Sequence, residues 1–346
     1  MSKPMGAIPT DYAAEGGMLR IGGRSVDDLI AEAGGTPLFV YDLDMVARRI
    51  SRFRAAFPSV QLHYAVKANP YGPLLNFIAM NVDGLDVASA GELRLALASG
   101  TDAASISFAG PGKRDDELEE AIGAGITLNA ESEGEVDRAL RIGERLGRRL
   151  RLAVRVNPDF EIKGSGMRMG GGAKPFGVDA ERVPALVRTL LEGGADWRGF
   201  HIFAGSQALS AEALVEAQRA TLDLAAELAD AIGQTPPLVN LGGGFGIPYF
   251  AGERPLDVEA IGQALAEALD QRPASLADTV FEIELGRWLV GEAGVYLTRV
   301  VDKKVSHGKT FLITDGGLHH QLAASGNFGQ VVRRNYPIAI ANRMSE

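Results

Sequence analysis

Between Gln61 and Arg287 the chain alternates short apolar, β-rich runs with longer stretches whose apolar residues recur at helical spacing. The strand-like runs cover 62–68 (LHYAVKA), 85–89 (LDVAS), 106–110 (ISFAG), 126–130 (ITLNA), 151–157 (RLAVRVN), 199–205 (GFHIFAG), 238–244 (LVNLGGG) and 280–286 (VFEIELG). The stretches between them, such as GELRLALASG, DDELEEAIGAG, SEGEVDRALRIGERLG and AEALVEAQRATLDLAAELADAIG, read as helices and often end in glycine. Eight such strand–helix repeats predict an α/β fold, a (β/α)8 TIM barrel over 36–283. A doubly wound open sheet is the alternative, but it needs fewer strands and a glycine-rich fingerprint after the first, which is absent.

Outside the barrel the period changes. TPLFVYDLDMVARRI predicts a strand and then a helix that covers one barrel end. WLVGEAGVYLTRVVDKKVSHGKTFLITDGG reads as two or three alternating strands with short turns. Residues 1–35 and 284–346 are therefore expected to form a second, all-β domain, joined by the strand-like piece around Met18–Ile21. Three strands are few for a domain with two faces to cover, so its C-terminal part is expected to be incomplete in this chain.

Composition narrows the function. The hydrophobic fraction is 46% and the charged fraction 23%, values of an ordinary water-soluble fold. A net charge of −9 argues against a general affinity for nucleic acid or an anionic membrane. No cysteine is present, which excludes disulfides, thiolate metal sites and a cysteine nucleophile within the chain. Neither a signal peptide nor an apolar run of membrane-spanning length is found, so a cytoplasmic protein is expected.

The candidate chemistry gathers at the strand ends. Lys67 closes LHYAVKA before a break at Asn69-Pro70, where a lysine is presented and can form a Schiff base with an aldehyde. With Lys67 aimed inward, His63 and Ala65 share its face. Counting back from the other strand ends places Asp86, Arg155, His201, Phe203, Glu282 and Glu284 in the same mouth. Buried charges are costly without partners or a ligand, so several of them at one mouth indicate a site. After strand seven, Gly242-Gly243-Gly244-Phe245-Gly246 offers backbone N–H groups that can surround a phosphate. Gly286 and Arg287 after strand eight, and Ser206 after strand six, add further anion donors. Together with Lys67 the set points to a phosphorylated aldehyde cofactor.

YAVKANP, DVASAGEL, RVNP, AGSQ, LGGGFG and ELGR resemble the alanine-racemase-type fold of pyridoxal-phosphate enzymes, and more closely its diaminopimelate/ornithine/arginine decarboxylase group. The resemblance spans about residues 36 to 320. HIFAGSQ and TDGGLHHQLAASGNFGQ are similar to a branch associated with exosortase and exopolysaccharide systems. The resemblance implies a lyase of amino-acid metabolism, a carboxy-lyase that uses pyridoxal 5′-phosphate on a small-molecule amino-acid substrate. It further implies a homodimer with the active site at its interface.

Residue by residue, the resemblance implies that Lys67 holds the cofactor covalently and that Glu284 pairs with its ring nitrogen. Ser206, Gly243, Gly244, Gly286 and Arg287 match phosphate-binding positions, and Arg287 also matches a substrate contact. Asp86 and Arg155 match charged groups that tune the lysine and the ring, and Glu92 lies in the same motif.

Departures from the family pattern are equally specific. Relatives carry Glu-Pro-Gly-Arg where this chain has Glu284-Leu285-Gly286-Arg287, with both charges retained. Phe203 stands where most relatives have a cofactor-stacking histidine, and an aromatic ring can still stack there. LHHQLAASGNFG lacks the arginine that holds the far carboxylate of diaminopimelate, and His319 and His320 occupy that neighbourhood. The downstream cysteine–acid motif and a late tyrosine are absent. The substrate expected is a diamino acid or an aminoacyl group tethered to a carrier protein. An amino-acid racemase of the same fold and a catalytically impaired cofactor-binding protein are the alternatives. Racemases of this fold put an arginine on the ring nitrogen, which Glu284 argues against.

Overall fold

The protein is described from a computed structural model, over residues 8–12, 14–164, 166–250, 252–321 and 337–344. His319 and His320 fall within these residues, whereas LAASGNFGQ, residues 322–330, lies outside them.

Eight parallel strands close into a barrel, each at or near its expected place: Gln61–Ala65, Gly84–Val87, Ile106–Phe108, Thr127–Ala130, Arg151–Asn157, Asp196–Ile202, Leu238–Asn240 and Val280–Leu285. Strand eight pairs with strand one and strand four with strand five, which shuts the ring. The strands are buried almost throughout, as a sheet covered by helices requires. Strand seven is shorter than expected because Gly242 turns the chain into a left-handed conformation (φ 67°) directly after Leu241. Its N–H is capped by the Asn240 side chain at 2.7 Å.

The helices follow their caps. Ser132 accepts from the Glu135 N–H, and the helix Glu133–Leu146 ends at Gly147 in the left-handed region. Ser210 and Gly233 bound the longest helix, Ala211–Ile232, in the same way. Among the described residues no helix is long and apolar enough to cross a membrane.

The chain divides into two compact units: 47–247 with 255–289, and 1–46 with 248–254 and 290–346. The first is the barrel. Leu38–Tyr41, in the second unit, pairs antiparallel with Gly294–Leu297.

The second unit joins both ends of the chain. Leu19, Ile21, Val26 and Leu297 form its buried core, with Tyr12, Leu38, Val40 and Met344 packed around them. Met18–Ile21 is the central strand of a three-stranded sheet, and Val300–Ser306 pairs antiparallel with Lys309–Thr314. This unit is not purely β: Ser25 caps a helix over Val26–Ala33, which ends at Gly34.

Candidate active site

The strand expected over 62–68 ends at Ala65, and Val66–Ala68 forms one 3-10 turn. Lys67 is thus carried on a turn, where strand alternation no longer sets its direction. It nevertheless lines a cleft of about 140 Å3 at the carboxyl ends of the barrel strands. Asp86, Arg155, His201, Phe203 and Glu284 line the same cleft. Six residues read from five strand ends therefore meet in one place.

The charges in the cleft are arranged in opposed pairs. Glu284 Oε2 stands 3.3 Å from His201 Nε2, with both side chains buried. Burial alone would raise the Glu284 carboxyl, but His201, and then Lys67 and Arg155, outweigh it and bring the pKa to about 2. The group is an anion at any physiological pH. Arg155 Nη1 bonds Glu131 Oε1 at 2.8 Å, and its guanidinium carbon lies 5.0 Å from the Phe176 ring centroid. Phe176 also lines the cleft.

A second buried layer adjoins the cleft through Asp86. His63 Nε2 is 3.1 Å from Glu282 Oε2, and its Nδ1 is 3.5 Å from Asp86 Oδ1. Asp86 also accepts from the Ser107 hydroxyl, and Asn240 donates to Glu282 at 2.8 Å. Burial alone would lower the His63 pKa, but Glu282, and then Asp86, outweigh it and push it up to about 9. Burial raises the Glu282 carboxyl to about 6, with His63 pulling the other way. These three groups are the one set with metal-ligand spacing among the described residues. The imidazolium already supplies a cation between the two carboxylates.

The expected phosphate-binding residues lie in stacked loops beyond the strand ends and are not among those that line this cleft. Ser206 pairs with Met167, and Gly205 with Arg168, in a short antiparallel ladder. The Ala208 N–H donates to Gly244 O at 2.9 Å, and Gly246 N donates to Ala208 O at 2.9 Å. Gly243 is buried, and a Cβ there would strike the Glu284 carbonyl, so the loop passes strand eight as closely as backbone can. Gly286 follows strand eight directly, and Arg287 is exposed and opens the helix Arg287–Val290. Phe203 separates the cleft from a small cavity lined by Gln218, Thr221 and Gly243.

Glu92 has a structural task. Its carboxylate accepts from the Ala88 N–H at 2.8 Å while Ser89 caps the helix Ala90–Ala98. His319 and His320 belong to the other unit, where they are exposed with ring centroids 3.9 Å apart.

Two buried residues beside the cleft are absent from the sequence reading. Glu131 bridges Gly110, Arg155 and Gly177, and Lys113 bonds Glu135 at 2.7 Å. Glu131 falls in the single-residue gap between an expected strand and helix. The signal that would have found it is an acid directly after a barrel strand.

A lysine amine, an anionic carboxylate and an aromatic ring around one cleft match the reactive aldehyde, basic ring nitrogen and flat ring of pyridoxal phosphate. Residues 43–291 match the family model described as "Pyridoxal-dependent decarboxylase, pyridoxal binding domain". The chain belongs to the pyridoxal-dependent decarboxylases. It is 36% identical over 309 residues to the L-glutamyl-[BtrI acyl-carrier protein] decarboxylase of Niallia circulans, which covers 88% of this chain and 72% of the relative. It is 31% identical over 334 residues to the diaminopimelate decarboxylase of Methanothermobacter thermautotrophicus, covering 93% and 76%. A solved diaminopimelate decarboxylase structure from M. jannaschi superposes with a TM-score of 0.84 at 26% identity, covering 92% of this chain and 76% of that one. The fold is therefore that of this decarboxylase family, as its barrel strands implied.

Proposed function

We propose that this pyridoxal-dependent decarboxylase holds its cofactor in the Lys67 cleft and removes the free α-carboxylate of an aminoacyl group joined to a partner carrier protein through its side-chain carboxyl, with free diamino acids as the second substrate class. The observation that supports the site is the sharing of one cleft by Lys67 and an anionic Glu284. In this reading Lys67 would hold the cofactor through its amine, and Glu284 would keep a proton on the ring nitrogen. The cofactor, when bound, supplies the electron sink for the pair left by departing carbon dioxide. His201 keeps Glu284 anionic and oriented. Phe203 offers its ring as a stacking face, while Asp86 and Arg155 set the charge at the rim. Ser206, Gly243, Gly244, Gly286 and Arg287 are assigned to the phosphate, and Arg287, His319 and His320 to the substrate.

The substrate class rests on two supports. The Niallia relative acts on a glutamyl group borne by an acyl-carrier protein. The run Asp315-Gly316-Gly317-Leu318-His319-His320-Gln321 offers two histidines and no arginine for a free, distant carboxylate. The assembly proposed is a homodimer in the cytoplasm.

Carbon dioxide release, measured with carrier-bound and free amino acids, tests this reading. Faster release from carrier-bound substrate supports it. Efficient turnover of free diaminopimelate with no turnover of carrier-bound substrate would sink the carrier assignment. Lys67→Ala should remove the absorbance of the covalently held cofactor, and an unchanged spectrum would sink the site.

A further inference from the structure

We propose that Glu131 is a positioning residue that holds three walls of the cleft in register through one carboxylate. The inference extends the site reading above. Its side chain is 1% exposed and sits one residue past strand four. Oε1 accepts from the Gly110 N–H and from Arg155 Nη1, and Oε2 accepts from the Gly177 N–H at 3.1 Å. Gly110 and Arg155 line the cleft, and so does Phe176, the residue before Gly177.

The three bonds join segments distant in sequence. Gly110 follows strand three, Arg155 lies in strand five, and Gly177 ends the long segment 158–177 that leaves strand five and returns to it. That segment is tied at a second place, where the Met169 N–H donates to Ala204 O at 3.1 Å, and Met169 also lines the cleft. Gly177 has φ 75°, and a Cβ there would lie 2.8 Å from Asn157 N and 2.9 Å from Arg155 O. Only glycine brings its N–H that close to the carboxylate.

The opposite face of the Gly110 loop is anchored separately. Lys113 Nζ donates to Gly110 O at 2.8 Å and pairs with Glu135. Gly110 is thus fixed at its N–H by Glu131 and at its carbonyl by Lys113. The four buried charges sum to zero, so each has a counterion and none is free to reorient toward the cleft. Glu131 touches no reacting group; it acts through Arg155 and the two loop glycines.

The test uses Glu131→Gln, which keeps the shape but leaves one accepting oxygen for three donors. In the apoprotein, amide hydrogen exchange in peptides containing Gly110 and Gly177 should quicken by roughly tenfold, while the helices Glu133–Leu146 and Ala211–Ile232 keep wild-type rates. In the loaded enzyme, the dissociation constant of pyridoxal 5′-phosphate should rise, and kcat/KM should fall by about a hundredfold, the cost of a displacement near 1 Å. Exchange within twofold of wild type at both glycines overturns the inference. So does faster exchange with unchanged cofactor affinity and kcat/KM, the result for a purely structural bond. If Glu131→Gln does not fold, Gly177→Ala displaces the same N–H without removing the charge, and the same readouts decide. A wild-type protein that takes up no pyridoxal phosphate defeats the proposed function instead, and the exchange rates still report on the clamp.

Discussion

His201 Nε2 and Glu284 Oε2 stand 3.3 Å apart, reaching each other from strands six and eight, and both are buried. That pairing fixes the protonation state of the acid in the cleft. Glu284→Gln removes the anion while keeping the volume. With the assigned role, kcat should fall by about a hundredfold or more, the scale of losing one preorganised charge at a developing centre. Steady-state carbon dioxide release measures it. In the wild type, chiral analysis of the recovered substrate should show no inversion, since an anion at this place favours a strong electron sink over racemisation.

His63 gives the protein an alkaline limit. Its folded pKa of about 9 lies above the ordinary 6.5 because Glu282 and Asp86 outweigh its burial. A group raised on folding stabilises fully below its unfolded value and loses that contribution as pH rises through the folded one. Glu282, raised to about 6, acts in the same direction at lower pH. Stability should therefore decline between about pH 6.5 and pH 9, by on the order of 1–3 kcal/mol at 1.36 kcal/mol per unit. Urea midpoints across this range should slope downward in the wild type and flatten in His63→Gln. Equal slopes in both would discard the buried imidazolium.

The limits of sequence reading have physical reasons. Strand positions were legible because a barrel buried on both faces writes apolar runs such as RLAVRVN into the chain. Their ends were less legible: the apolar run 62–68 continues through a 3-10 turn, since Val66 is buried in the turn as fully as Tyr64 is in the strand. Asp86, Arg155, His201 and Glu284 stood out as charges within such runs. Glu131 and Lys113 did not, because each lies between elements where an acid or lysine is ordinarily solvated.

Gly243 couples the loop after strand seven to Glu284. A Cβ at Gly243 would collide with the Glu284 carbonyl and lie 3.1 Å from Leu285 Cδ2. Gly243→Ala must part strands seven and eight at the level of the acid, at an overpacking cost of about 1–3 kcal/mol. Activity should fall further than stability, because the displacement is centred on Glu284. Urea unfolding and carbon dioxide release on the same sample separate the two. A variant with full activity and full stability would show that the two strands yield without moving the acid.

Phe203 is one of two phenylalanines lining the cleft and at the same time borders the small cavity lined by Gln218 and Gly243. Phe203→Ala joins those two spaces and removes the ring assigned to stacking. An aromatic pair contributes about 0.5–1.5 kcal/mol beyond the area it buries, so cofactor affinity should weaken severalfold up to about tenfold. Phe203→Tyr keeps the ring and should retain near-wild-type affinity. Phe203→His keeps an aromatic face that also carries a proton, which separates stacking from proton transfer. Titration of the apoprotein with pyridoxal 5′-phosphate, followed by absorbance, gives the three constants. If alanine binds as tightly as phenylalanine, the ring does not lie against the cofactor and serves only to close the cavity behind it.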